Sequence, residues 1–147
     1  MRLLLSLLCL GGGGCGLSYD PGETAVPQNE VARIELLVPE RRLPRSARNV
    51  HLRHVRFQDD LMHVRFDADA AEARTFAREM LGRPLGRSGS ASMSHSLDLD
   101  WWITVEQLRL AEVGEDTLAD GDGLPRSKIA MIAAGDTARV WLITFAD

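Results

Sequence analysis

Cysteine is scarce in this 147-residue chain. There are two, one of them inside the first nine positions, which excludes a disulfide-stapled scaffold. Long hydrophobic runs are missing as well. The most apolar stretch, residues 3–10, falls far short of the roughly 20 residues that a spanning helix requires, so a multi-span membrane protein is excluded. Basic charge is not in excess: 17 basic against 21 acidic residues give a formal net charge of −4 and a pI of about 5.6. The chain as a whole therefore offers no electrostatic case for a nucleic-acid partner. Lysine occurs once, at Lys128, against 16 arginines, which reads as coding bias and carries no chemistry. What is present is a globular balance of 45% hydrophobic and 26% charged residues in a length suited to one domain.

The N-terminus carries an address. Arg2 is the only charge before Asp20, an apolar run follows, and Gly11, Gly12, Gly13 and Gly14 lead to Cys15. A basic start, a short apolar stretch and small residues make the layout of a secretory signal over residues 1–14. The alternative, a buried N-terminal helix or strand, meets four consecutive glycines that would break either element. Gly14-Cys15 resembles a bacterial lipobox, in which the cysteine becomes the lipid-bearing first residue; Gly12 stands where leucine is usual. Cleavage before Cys15 removes Cys9 and leaves a single cysteine at the new N-terminus, which favours an anchor over a reactive thiol. The expectation is lipidation at Cys15, membrane attachment through that lipid, and location in the cell envelope. Ordinary cleavage, giving a secreted or periplasmic soluble protein, is the alternative.

Residues 15–42 read as a lipidated N-terminus and a tether rich in Pro, Gly, Ser and Asp, with a short helix over 30–37 capped by Asn29. A compact domain is expected over 43–147. Residues 50–57 and 62–67 suggest a β-hairpin turning at Gln58-Asp59-Asp60, with a bulge at Arg53-His54 to bring Val50 and Leu52 into step with Val55 and Phe57. Asp69 followed by Glu72 predicts a capping-box start for a helix that ends at Gly82 and presents Ala73, Phe76, Ala77 and Met80 as one apolar stripe. Residues 97–105 alternate like a strand around Trp101-Trp102. Residues 128–133 and 138–145 read as a closing hairpin around Gly135-Asp136, and the second strand is apolar on both faces, which places it centrally. The fold class expected is α+β: an antiparallel sheet of about four or five strands with one main packed helix.

Leu43-Pro44, Ser46-Ala47, Asn49-Val50, Phe57-Gln58-Asp59, the run Val64 to Ala68 and Trp101-Trp102 together resemble a pattern found in small bacterial lipoproteins. The likeness covers roughly residues 43–102 and the closing strand. It implies export and a compact domain, and it transfers no catalytic residue.

Residues that could carry chemistry each have a plainer reading. His51, His54 and His63 could ligate zinc on the hairpin, but three residues apart on a strand puts His51 and His54 on opposite faces unless a bulge intervenes. The plainer reading is a solvated outer face interleaved with Arg53, Arg56 and Arg65, with no metal and no cofactor. Asp116, Asp120, Asp122 and Gly123 suggest a calcium loop, yet Leu118 and Ile129 stand at its first and last ligand positions. Gly86 to Ser90 misses the nucleophile-elbow spacing, and His95 lies in a Ser-rich stretch with no fixed partner. The pair Trp101-Trp102 offers more. Adjacent strand residues face opposite ways, so one Trp can enter the core while the other marks a contact surface; the alternative is that helix and loop cover both. With Asp98 and Asp100 beside it, that surface would suit a basic or sugar-like ligand. The leading expectation is a non-enzymatic envelope domain that binds a protein or small ligand. A metal-assisted hydrolase using the hairpin histidines and a purely structural envelope component are the alternatives.

Overall fold

A computed structural model of the chain describes residues 25–38, 40–56, 60–87, 93, 99–116 and 127–146. A six-stranded antiparallel sheet dominates it. Along the chain come a 3-10 helix (Gln28–Arg33), β1 (Arg48–Arg56), β2 (Asp60–Asp69), α1 (Ala70–Leu81), β3 (Gly86–Arg87), α2 (Val105–Leu110), β4 (Glu112–Glu115), β5 (Ser127–Ala134) and β6 (Thr137–Ala146). The strand order is β1-β2-β6-β5-β4-β3. The class is α+β, mostly sheet, and the strand count exceeds the four or five expected. The additional strands are β3 and β4, two and four residues long, too short to show a period in the sequence.

One face of the sheet carries the larger core. Val50, Leu52, Met62, Val64, Phe66, Ile129, Met131, Val140 and Leu142 meet the α1 stripe of Ala73, Phe76, Ala77 and Met80, all buried. The Phe66 and Phe76 rings meet edge to face at 5.6 Å. Helix α1 begins after Asp69, but Asp69 makes no side-chain cap and Glu72 does not reach back to it. Ser46 takes over that role. Its Oγ accepts from the Asp69 amide at 3.0 Å and donates to the Glu72 carboxylate at 2.8 Å, tying the helix start to the segment before β1. Gly82, in the left-handed region at φ 66°, ends the helix as expected.

The packed region starts earlier than residue 43. Val26, Val31, Ile34 and Leu36 are buried in the same core, and the Val26 amide donates to the Val50 carbonyl at 2.8 Å. The short helix is a 3-10 turn over Gln28–Arg33 rather than a helix over 30–37. Val31, Ile34 and Leu36 are buried, with Leu37 and Val38 partly so, and they fasten the segment to the core instead of leaving it as a tether.

The opposite face is also covered, by residues 99–111. Trp101, Trp102, Ile103 and Ala111 pack there on Val113, Ala130, Trp141 and Ile143, together with Met93. Coverage on both sides explains β1. Register shifts between Arg48 and His51, not at Arg53-His54, and Val55 lies opposite Leu61, which packs into this second core. Val50 and Val55 are out of step because each serves a different face. Strand β6 lies between β2 and β5, with Val140, Leu142 and Thr144 buried on one side and Trp141 and Ile143 on the other. Gly114 in β4 passes close under α1: a Cβ there would lie 2.6 Å from a Leu81 methyl, which would have to shift.

Candidate functional site

Trp101 and Trp102 are not on a strand. They occupy a turn closed by the Trp102 amide donating to the Leu99 carbonyl at 3.1 Å. Thr104 and Gln107 then form a reciprocal capping box that starts α2. A turn allows both indoles to point at the same sheet face, and both are buried, at 9% and 5% exposure. The aromatic contact surface expected from strand alternation is therefore not formed. Asp100 is exposed beside them, whereas Asp98 and Cys15 lie outside the described residues.

Below the tryptophans are two of the hairpin histidines. His51 stacks on Trp101 at 5.5 Å, Trp101 meets Trp102 edge to face at 5.6 Å, and Trp102 meets His63 edge to face at 4.9 Å. The Trp141 indole donates to the Trp101 carbonyl at 3.3 Å and fixes the turn on β6. This face is not the solvated outer surface expected: His63 is 1% exposed. Burial, with the Arg53 charge adding to it, pushes its imidazole down to about 4. His51 is also lowered, by burial and then by Arg65, while Asp100 and Asp67 oppose the shift.

His54 stands on the other face, 3.4 Å from an Asp60 oxygen and without hydrogen-bond geometry. No bulge brings it back to His51. Among the described residues no group of three or more His, Cys, Asp or Glu side chains is placed to hold a metal ion. Of the other motifs, Asp116 is buried, Gly86 and Arg87 form β3, and Asp120, Asp122, Ser88, Ser90 and His95 lie outside the described residues.

The feature that sequence reading missed is an ion cluster where β1, β2 and β6 run side by side. Arg139 of β6 grips Asp67 of β2 with two donors, Nε at 2.7 Å and a terminal nitrogen at 3.2 Å. Asn49 donates to the second Asp67 oxygen at 3.1 Å. Asn49 can reach because it occupies the bulge of β1 in the left-handed region, at φ 51°, which Asn tolerates better than most residues. Burial alone would raise the Asp67 carboxyl. The Arg139 and Asn49 hydrogen bonds and the two guanidinium charges outweigh it and hold the group below the ordinary carboxylate range. Arg139 moves up through the same hydrogen bond.

Arg65 lies beside this pair on β2. Its side chain is only 13% exposed, its nearest Asp67 oxygen is 3.9 Å away, and it donates no hydrogen bond to a described residue. Burial and the neighbouring Arg139 charge lower it, with Asp67 opposing.

No protein family, curated protein or solved structure matches this chain.

Two clefts flank the ion pair, and Asp67 and Arg139 line both. One, of about 400 Å³, is bounded by Arg65, His51, Asn49 and Gln28. The other, of about 340 Å³, runs past Ile132, Ala134 and Ala138 beside Arg48. Each reaches the lower end of the range for small-molecule sites. Among the described residues no serine or cysteine lines either cleft. Thr137, at the rim of the smaller one, donates its hydroxyl to the Ala134 carbonyl.

Proposed function

We propose that this chain is an exported, lipid-anchored domain of the bacterial cell envelope that binds a small ligand at the paired clefts around Asp67 and Arg139 without transforming it. The observation that carries the binding assignment is the state of the polar groups there. Both Asp67 oxygens are held by Arg139 and Asn49 and the carboxyl is kept ionised, so it is committed to architecture rather than to proton transfer. His51, the titratable group beside it, has a buried Nδ1 with no hydrogen-bond partner, so no acid or base among the described residues orients the ring through that nitrogen. The clefts offer shape and charge, and no nucleophile paired with a base.

Export and anchoring rest on the sequence: Arg2, the apolar run 3–10, the small residues and Cys15. Among the described residues no helix is long and apolar enough to cross a membrane. Cys15→Ser is expected to abolish labelling by a fatty-acid probe and to move the protein from the membrane to the soluble envelope fraction. Membrane association unchanged in that variant would overturn the anchor.

A further inference from the structure

We propose that the ligand of the paired clefts is a small organic acid whose carboxylate is held by Arg65 and Arg139; the proposal rests on the binding reading above and names its chemistry. Among the described residues, three guanidinium groups, of Arg48, Arg65 and Arg139, line the two clefts, against the single carboxylate of Asp67. Arg48 has partners of its own outside the clefts, Asp69 at 3.6 Å and the Ser46 carbonyl at 3.3 Å. Arg139 is matched to Asp67 through both carboxylate oxygens, and Asn49 donates to one of them as well. Arg65 is left over: largely buried, bordering the larger cleft, with its one ion-pair partner among the described residues beyond hydrogen-bond distance.

A buried guanidinium is costly unless something pairs with it. Its planar fork of donors fits an anion with two oxygens in reach, a carboxylate or a phosphate. Asp67 is committed to Arg139 and Asn49, so the open side from which Arg65 can receive a hydrogen-bond acceptor is the cleft. A carboxylate placed there meets Arg65 directly and lies alongside the partly exposed Arg139. The second cleft, which Arg139 also lines, carries Ile132, Ala134 and Ala138, and the apolar remainder of the molecule is assigned to it. That lining argues for an organic acid over a bare oxyanion such as phosphate. Asp100 acts on His51 with a negative charge, which would repel an anion displaced in that direction.

The test is an NMR titration of the full, nitrogen-labelled chain, following arginine side-chain Nε–H and backbone signals at constant ionic strength. Three probes are used: sodium benzoate, inorganic phosphate and uncharged benzamide. Benzoate is expected to give saturable shifts centred on Arg65 and Arg139, benzamide none at the same concentration, and phosphate only unsaturated drift. Arg65→Gln is expected to weaken benzoate binding at least tenfold and Arg65→Lys to weaken it less; signal dispersion reports whether each variant is folded. If Arg65→Gln does not fold, the comparison of benzoate with benzamide on the unaltered chain still decides. Benzamide binding as well as benzoate would overturn the carboxylate assignment and leave the clefts as a binding place. Saturable phosphate binding with benzoate silent would overturn the organic acid. Absence of saturable shifts at the clefts with all three probes would overturn both the acid and the binding reading.

Discussion

Acidification is expected to destabilise this fold well above the pH at which its carboxylates protonate, and His63 is the reason. The imidazole lies under Trp102 with 1% exposure and a buried Nδ1 that has no hydrogen-bond partner. In the folded chain it titrates at about 4 instead of 6.5. Above pH 6.5 the ring is neutral in the folded and unfolded chains alike, and stability is at its full value. Between 6.5 and 4 the unfolded chain takes up a proton that the folded chain refuses, so stability falls with pH. Below 4 both states are protonated and the loss is complete, at about 3 kcal/mol from this residue, of which about 2 kcal/mol is gone by pH 5. Against a domain total of about 5–15 kcal/mol that loss is large. Urea denaturation at pH 7 and pH 5 measures it, with His63→Leu as the variant that keeps comparable volume and removes the titration. The variant's own stability at pH 7 is immaterial; what matters is the difference between the two pH values, which should shrink by about 2 kcal/mol and leave the smaller contribution of His51. An equal pH dependence in the two proteins would refute the reasoning, as would a ring signal of His63 that titrates near 6.5.

Phe76→Ala is expected to cost about 3–5 kcal/mol, since it empties a buried site and removes the edge of the Phe66 contact. Arg74→Ala and Arg78→Ala, on the solvent side of α1, should cost under about 0.5 kcal/mol in the same denaturation series. Gly114→Ala should cost about 1–3 kcal/mol by driving a methyl into Leu81, while Gly86→Ala, which meets nothing within 4 Å, should be neutral; thermal melts of the two variants decide this.

Helix α1 was legible because four apolar residues recur at helical spacing and glycine follows; one face of one element contains the whole signal. Strand β6 was legible for a similar reason, its apolar residues on both faces announcing a position with cover on each side. The tryptophan turn was misread although its signature was present. Thr104 and Gln107 stand three residues apart, as a capping box requires, and a helix starting there leaves no room for a strand through residue 105. The ion cluster could not have been read at all. Arg139 and Asp67 are 72 positions apart, and each looks like an ordinary polar residue of an alternating strand. Their meeting depends on β6 pairing with β2 in one register, which places Arg139 opposite Asp67. Asn49 joins them through a bulge that β1 shows by no local residue pattern.

The strand order has a consequence in time. Strand β6 follows every other described element along the chain, yet it separates β2 from β5 in the sheet. Until it is available, β1-β2 and β5-β4-β3 are two ribbons with nothing between them, and each core lacks its middle wall. Pairings such as Asp60 with Ala146 close loops of nearly the whole folded region, the kind of long-range contact that slows folding. A growing chain on the ribosome therefore cannot complete this sheet early. Before β6 is made, the sheet stands open between β2 and β5, and both cores wait on the same last strand.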